Sequence, residues 1–245
     1  MDITKYLDTW AAAYRNDLIE NIMPFWMKFG LDRKHGGIYT CLDRDGKLMD
    51  STKSVWFQGR FGFIASYAYN HIEKKQEWLA ASKSCIDFIE THCTDIDGHL
   101  FFEVTEEGIP LRKRRYVFSE CFAAIAMSEY AIASGDKSYA TKALEIFKRT
   151  LKFLSTPGFL EPKYLPTLQS RGHSITMILI NTASRIREVI EDPVLDRQIN
   201  ESLTSIRQYF MHPEFKALLE MVGPKGELID TCNGRTINCL LYTSP

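Results

Sequence analysis

The chain has 245 residues, 45% of them hydrophobic and 25% charged, and its 30 basic residues nearly balance 31 acidic ones. These values are typical of a folded globular protein and exclude a disordered or collagen-like chain, while the net charge of −1 disfavours a nucleic-acid-binding protein. The sequence has no apolar stretch long enough for a membrane helix and does not begin like a signal peptide, so we expect a cytoplasmic protein without membrane contacts.

Helical segments of two kinds alternate along the chain. After an N-terminal helix over about 3–28, segments with at most two charges predict helices that are buried on all sides, at 54–70, 116–133 and 172–184. Each is followed by a charged, amphipathic segment, at about 75–93, 137–154 and 195–211.

Short β-like runs around a glycine turn separate these helix pairs. The runs cover residues 36–50, 98–112 and 217–230, with turns at Asp45-Gly46, Glu107-Gly108 and Lys225-Gly226. The turn glycines lie about 60 residues apart or twice that, which places a degraded fourth copy near residue 167. A hairpin and two helices repeated at a fixed period predict an all-α fold, an α/α toroid in which an inner ring of helices is wrapped by an outer ring.

A complete toroid of six helix pairs would need roughly 360 residues, so the chain holds about four pairs. The next inner helix should begin near Asn238, but the sequence continues CLLYTSP, without charge. We therefore predict that residues 1–238 are the N-terminal two-thirds of one barrel domain and that 239–245 are a truncated or non-native tail. An open toroid exposes apolar helix faces, so we expect marginal stability.

Charged residues inside the apolar helices are the first candidates for function, because an unpaired buried charge is costly. Arg60 and Glu120 lie 14 and 12 residues after their turn glycines, and His173 lies near the start of the third apolar helix. If the inner helices are parallel, these three side chains share one rim and face a central pocket. A purely structural ion pair between Arg60 and Glu120 is the alternative.

Aromatic residues accompany these charges at the same rim, namely Trp56, Phe57, Phe61, Tyr116 and Phe118. Flat rings beside a few polar groups suit a sugar, whose C–H faces stack while its hydroxyl groups form hydrogen bonds. Packing in the core is the alternative for each ring.

A metal site is not predicted. The six cysteines contain no C-x-x-C pair, and the nearest group of possible ligands, His92, Cys93 and His99, lacks zinc spacing. We expect reduced, buried cysteines.

Three segments resemble the N-acylglucosamine 2-epimerase family: HGGIYTCLDRDGKLMDSTKSVWFQGRFGF at 35–63, RYVFSECFAAIAMSEYA at 115–131, and GHSITMILIN at 172–181. The resemblance implies an (α/α)6 barrel. It also implies a sugar 2-epimerase that interconverts N-acetylglucosamine and N-acetylmannosamine by removing and returning the C2 proton of the open-chain sugar. Such chemistry needs two bases and a cation or donor at the enolate oxygen.

The same resemblance implies roles for single residues. Arg60 is the expected catalytic residue at the sugar oxygen, and the expected substrate-binding residues are Trp56, Tyr116, Glu120, His173, Met177 and Asn181. Asparagine at 181, where cellobiose 2-epimerases carry histidine, favours the acylglucosamine branch. No cofactor is implied, although ATP is an activator of some members, and a homodimer is expected of the full-length form.

One departure from the family pattern affects activity. A Pro-Gly-His-x-x-Glu motif should follow GRTIN, but the chain has Cys239-Leu240-Leu241, and a second histidine further on is missing as well. Both expected bases are therefore absent, and we predict that this chain is inactive. The alternatives are another sugar isomerase acting on mannose, cellobiose or a sulfonated sugar, a non-catalytic sugar-binding protein, or a glycoside hydrolase, for which Glu120 is the sole candidate carboxylate.

Overall fold

Two layers of helices make up the structure, a computed structural model that describes residues 2–113, 116–161 and 167–237. The inner layer consists of α3 (Val55–His71), α5 (Phe118–Ser134) and α7 (Ser174–Arg187). Each inner helix packs against the helix that follows it, α4 (Gln76–His92), α6 (Ser138–Ser155) or α8 (Pro193–Ser205). Because α5 also contacts both α3 and α7, the predicted alternation of inner and outer helices is confirmed.

The N-terminal helix is longer than an ordinary surface helix. It begins with α1 (Ile3–Asp17), capped by the Asp2 carboxylate, which accepts hydrogen bonds from the N–H groups of Thr4 and Lys5. The backbone then continues as α2 (Met23–Phe25), flanked by two π-helical turns, Leu18–Ile22 and Trp26–Gly30. This agrees with the helix predicted over 3–28.

Short antiparallel strands connect the helix pairs. Strand β1 (Cys41–Leu42) pairs with β2 (Leu48–Asp50), and β4 (Glu103–Val104) lies between β3 (Lys53–Ser54) and β5 (Pro110–Arg112). These pairings confirm the first two predicted hairpins. Their turn glycines, Gly46 and Gly108, have φ values of 88° and 96°, which a side chain would disfavour.

The third predicted hairpin is wrong. Strand β8 (Ala217–Leu218) pairs with β7 (Met211–His212), and β9 (Met221–Val222) pairs with β6 (Arg171–Gly172). The glycine turn is present, because the Gly223 N–H donates to the Glu227 oxygen at 2.8 Å, but no strand follows it within the described residues. The β6–β9 pairing joins distant segments, which a local pattern cannot show.

Remaining short elements are a π-helical turn after α8 and two 3-10 turns, at Ile206–Phe210, Pro213–Phe215 and Asn233–Arg235. The predicted tail at 239–245 lies outside the described residues, as do residues 162–166 of the predicted degraded repeat near 167. None of the helices described in the structure combines the length and the hydrophobicity needed to cross a bilayer.

Burial differs between two inner helices that the sequence predicts to be alike. Helix α5 lies almost wholly in the main core, as predicted. Helix α3 exposes one stripe, in which Phe57, Ile64 and Tyr67 are 47%, 45% and 37% exposed. Burial of α3 on all sides is therefore wrong for the described residues, because none of the elements in the described part of the chain covers this stripe.

Helices α3 and α5 approach each other closely at two glycines of α3. A Cβ atom on Gly59 would lie 2.6 Å from the backbone carbonyl carbon of Phe122, and one on Gly62 would lie 3.3 Å from the Cβ of Ala126. Because the contacts advance along both helices in the same direction, α3 and α5 are parallel. Their N-terminal ends consequently lie side by side.

We predict that Gly59→Ala lowers the free energy of unfolding by about 1–3 kcal/mol, because the added methyl group forces the helix backbones apart. Gly62→Ala is the matched control on the same helix, where the smaller overlap should cost less. Chemical denaturation of both variants checks this. Equal stability of Gly59→Ala and the parent chain would contradict the close approach.

Candidate functional site

A buried lysine fixes the point at which α3 begins. Lys53 is 0% exposed, and its Nζ donates to the Asp32 carboxylate, the Gly36 carbonyl and the Glu106 carbonyl, each at 2.7 Å. Its three N–H groups thus have three acceptors, which is the condition for burying a charge at tolerable cost. This contact joins the loop after the N-terminal helix, strand β3 and the β4–β5 turn. It lies two residues before Val55, where α3 begins.

Asp32 is held ionised by the same contact. Burial alone raises the pKa of Asp32, but the hydrogen bonds from Lys53 and from the N–H groups of His35 and Lys34 outweigh it, so the pKa lies below its usual range. The Asp32 carboxylate is therefore charged at neutral pH.

An aromatic surface lies beside the start of α3. Val55 N–H donates to the Phe102 carbonyl at 2.9 Å, which places the next residue, Trp56, against the Phe102 ring at 5.1 Å between centroids. Trp56 also packs against Phe118 and Phe122 on α5, at 5.3 and 5.9 Å. We call the set Trp56, Phe102, Tyr116, Phe118 and Phe122 the aromatic site. Tyr116 joins it edge-on to Phe118 at 6.3 Å.

The aromatic site contains a hydrogen-bond donor that has no acceptor among the described residues. The indole Nε1 of Trp56 is shielded from solvent and has no acceptor among the described residues. A donor of this kind is available to an oxygen of a bound molecule.

Arg60 lies on the aromatic site as an unneutralised cation. Its guanidinium carbon is 4.3 Å from the ring centre of Phe122 and 5.7 Å from that of Phe57. The side chain is exposed, and among the described residues it forms neither an ion pair nor a hydrogen bond. Partial burial lowers the pKa of Arg60, but a guanidinium remains protonated at neutral pH. Arg60, Trp56 and Tyr116 are thus brought together, and the alternative ion pair between Arg60 and Glu120 is not formed.

Glu120 lies in the interior behind this surface. It is 0% exposed, and its Oε1 contacts the His99 ring nitrogen and accepts a hydrogen bond from the Leu100 N–H at 2.7 Å. These contacts tie the first turn of α5 to the segment before β4. A substrate contact by Glu120 stays a prediction, and its described contacts are with the protein.

The remaining predicted residues lie on or beside α7. His173 is 1% exposed, precedes the first residue of α7 and packs edge-on against Phe210 at 5.3 Å, and burial lowers its pKa, so the ring is neutral at neutral pH. Met177 is half-buried and Asn181 is exposed. No ring contact or hydrogen bond among the described side chains links Met177 or Asn181 to the aromatic site, so their roles stay predictions.

Two members of the aromatic site were missed by the sequence analysis. Phe122 follows Phe118 by four residues and therefore shares its helix face, a signal that was available in the sequence. Phe102 lies directly before β4 and reaches Trp56 beside the β3–β4 pairing, for which the sequence gives no local signal.

One group of possible metal ligands occurs among the described residues. His35, Glu106 and Glu107 place their ligand atoms within 4.8 Å of one another. The group lies at the β4–β5 turn, and Glu106 already accepts a hydrogen bond from the Tyr39 hydroxyl at 3.3 Å. None of its members belongs to the aromatic site.

We predict that Lys53→Met lowers the free energy of unfolding by about 3–5 kcal/mol, because it leaves the Asp32 carboxylate buried without its cation. In the parent chain Asp32 contributes stability above its unfolded pKa of 3.8, and this contribution is lost as the pH falls through the lower folded pKa. In the variant the pKa of Asp32 in the folded state is raised. The difference in the free energy of unfolding between the variant and the parent should therefore shrink as the pH falls from 7 towards 4.

Urea denaturation over this pH range measures both effects. Lys47→Met, at an exposed lysine, is the control and should change stability by less than about 0.5 kcal/mol. A Lys53→Met deficit that does not depend on pH would show that Asp32 is not the group left unpaired.

A second prediction concerns Glu120. Glu120→Gln should lower the free energy of unfolding by about 1–3 kcal/mol, because the neutral amide loses the charge-assisted contact with His99. The exposed Glu145→Gln is the matched control. Thermal denaturation of both is the measurement, and equal melting temperatures would show that the buried contact contributes nothing to stability.

Comparison with known proteins supplies the relatives of this chain. The family model named N-acylglucosamine 2-epimerase (GlcNAc 2-epimerase) matches residues 37–220. The N-acylglucosamine 2-epimerase of Rattus norvegicus is 28% identical over 240 residues, which are 95% of this chain and 57% of that protein. A cellobiose 2-epimerase of Ruminococcus albus is 31% identical over 139 residues, 56% of this chain and 35% of that protein.

Among solved structures, the cellobiose 2-epimerase of Bacillus thermoamylovorans matches with a TM-score of 0.81 at 20% identity, over 91% of this chain and 61% of that one. At this identity the match shows a shared fold. The chain spans little more than half the length of the rat relative.

Proposed function

Because the chain belongs to the N-acylglucosamine 2-epimerase family, we propose that its protein is a sugar 2-epimerase, and that this chain supplies the part of the site that binds the sugar and its enolate oxygen. The proposed reaction interconverts N-acetylglucosamine and N-acetylmannosamine. The observation that carries the proposal is the guanidinium of Arg60, which lies over Phe122 beside Trp56 without a described anionic partner.

The proposed chemistry begins with removal of the C2 proton from the open-chain sugar. The electron pair moves onto the neighbouring carbonyl oxygen, and a preorganised cation beside that oxygen lowers the barrier. Arg60 is suited to this role because it stays protonated and its N–H groups have no described acceptor to give up. Return of a proton to the opposite face of C2 completes the epimerisation.

The aromatic site is suited to hold the sugar during this exchange. Ring faces pack against the C–H groups of a sugar, and the indole N–H of Trp56 can donate to one of its oxygens. A glycoside hydrolase would instead need two carboxylates facing the substrate, and Glu120 is fully buried. The geometry therefore supports proton transfer next to a carbonyl better than glycosidic cleavage.

The two bases that the reaction needs are not present at the positions that the resemblance implies. Residues 239–241 are Cys-Leu-Leu where the resemblance implies Pro-Gly-His, and they lie outside the described residues. We expect the 245-residue chain by itself to bind the sugar without exchanging its C2 proton. The reaction moves only protons, so it needs no redox cofactor, while activation by ATP and a homodimer stay predictions from the resemblance.

The test follows the C2 proton of N-acetylmannosamine by NMR in deuterated water. The product of the complete open reading frame should replace this proton with deuterium and form N-acetylglucosamine. In that protein Arg60→Lys should slow the exchange about 100-fold or more, because a lysine cannot present the planar set of donors. Arg44→Lys, at an exposed arginine, is the matched control.

The outcomes separate the alternatives. Exchange with mannose or cellobiose, and none with the N-acetyl sugars, would favour another sugar isomerase. Binding without exchange by the complete product would favour a sugar-binding protein. Full exchange in Arg60→Lys would remove Arg60 from the proposed mechanism.

A further inference from the structure

The orientation of Arg60 depends on aromatic rings, of which Phe122 is the nearer, at 4.3 Å, and Phe57 the more distant, at 5.7 Å. Arginine has a long, flexible side chain, and its guanidinium here has no hydrogen bond or ion pair among the described residues to hold it. What holds it is the face of Phe122 at 4.3 Å, a distance typical of a cation–π contact.

Phe122 is itself held on two sides. Its ring packs against Trp56 and Phe118, at 5.9 and 6.5 Å between centroids. Its backbone lies against Gly59, where a Cβ atom would be 2.7 Å from the Phe122 carbonyl oxygen. Since Arg60 follows Gly59 directly, this contact between helices α3 and α5 places the arginine beside the ring.

A ring orients a guanidinium in a way that a carboxylate cannot. A carboxylate would accept the N–H groups and neutralise the charge, whereas a ring contacts the flat face and leaves the N–H groups at the edge free. A cation that must stabilise a transient enolate oxygen has to keep both its charge and its donors.

We propose that Phe122 is a positioning residue that holds the guanidinium of Arg60 face-on, so that its donors stay aimed at the sugar oxygen. This inference rests on the proposed function. It assigns to Phe122 a role in ligand binding that is exerted through Arg60.

The test uses the 245-residue chain and two independent readouts. Side-chain NMR of ¹⁵N- and ¹³C-labelled arginine, assigned with Arg60→Lys, reports whether the Arg60 protons carry the upfield shift of a neighbouring ring. Titration with N-acetylmannosamine, followed by chemical-shift changes, reports sugar affinity. Phe122→Leu keeps an apolar side chain of similar size without a ring, and Phe122→Tyr restores the ring.

We expect Phe122→Leu to abolish the upfield shift and weaken sugar binding about tenfold, which corresponds to about 1.4 kcal/mol, a value in the range of a cation–π contact. Phe122→Tyr should retain both properties. Phe63→Leu, at a ring one turn further along α3 that packs against Tyr67 at 5.5 Å, is the control for loss of an aromatic side chain and should change neither.

Each contrary result has its own meaning. No upfield shift in the parent chain overturns the stacking and needs no variant to fold. Loss of the shift with unchanged affinity overturns the positioning role and leaves the proposed function standing. If the parent chain does not bind any sugar, the proposed function is overturned. The positioning role of Phe122 is then overturned with it, even where the upfield shift is seen.

Discussion

The buried contact of Lys53 determines the position of everything that follows it at the site. A buried ammonium group is costly unless its charge and all its donors are matched, and here one carboxylate and two carbonyls match them at 2.7 Å. Two of those acceptors, on Asp32 and Gly36, come from one loop, and the third, on Glu106, comes from the β4–β5 turn, so the lysine joins two segments far apart in the sequence. Because Val55 lies only two residues further on, the arrangement that satisfies Lys53 also sets where α3 begins and where Trp56 points.

A second constraint acts at the contact between α3 and α5. Gly59 lets the two helix backbones touch at Phe122, and the aromatic site forms across this contact. The lysine contact fixes the start of α3, and the glycine contact fixes its distance from α5. Together they hold Arg60 and Trp56 on a surface to which each of three chain segments contributes rings.

Much of the fold could be predicted because it repeats. The apolar segments, the amphipathic segments and the turns at Gly46 and Gly108 recur with a period, and each is a local pattern. The predictions that were wrong concern contacts between segments that are far apart in the sequence. The partner of β9 is β6, some 50 residues earlier, and the exposed stripe of α3 depends on which elements cover it, not on its own composition. At the site, the same limit hid the contact of Glu120 with His99, since neither residue type signals the other across 21 positions.

Arg60 and Glu120 show how differently two charges near one rim can be treated. Sequence spacing makes them equivalent, and their simplest relation would be a pair. The structure instead gives Glu120 a buried partner and a backbone donor, and gives Arg60 two aromatic rings and no described anion. A carboxylate held by a buried side chain and a backbone donor links two segments of the protein, whereas a cation without hydrogen bonds on an aromatic surface has its interaction energy available for a ligand. This asymmetry, more than the presence of charged residues at the rim, is why the geometry favours chemistry at a carbonyl oxygen.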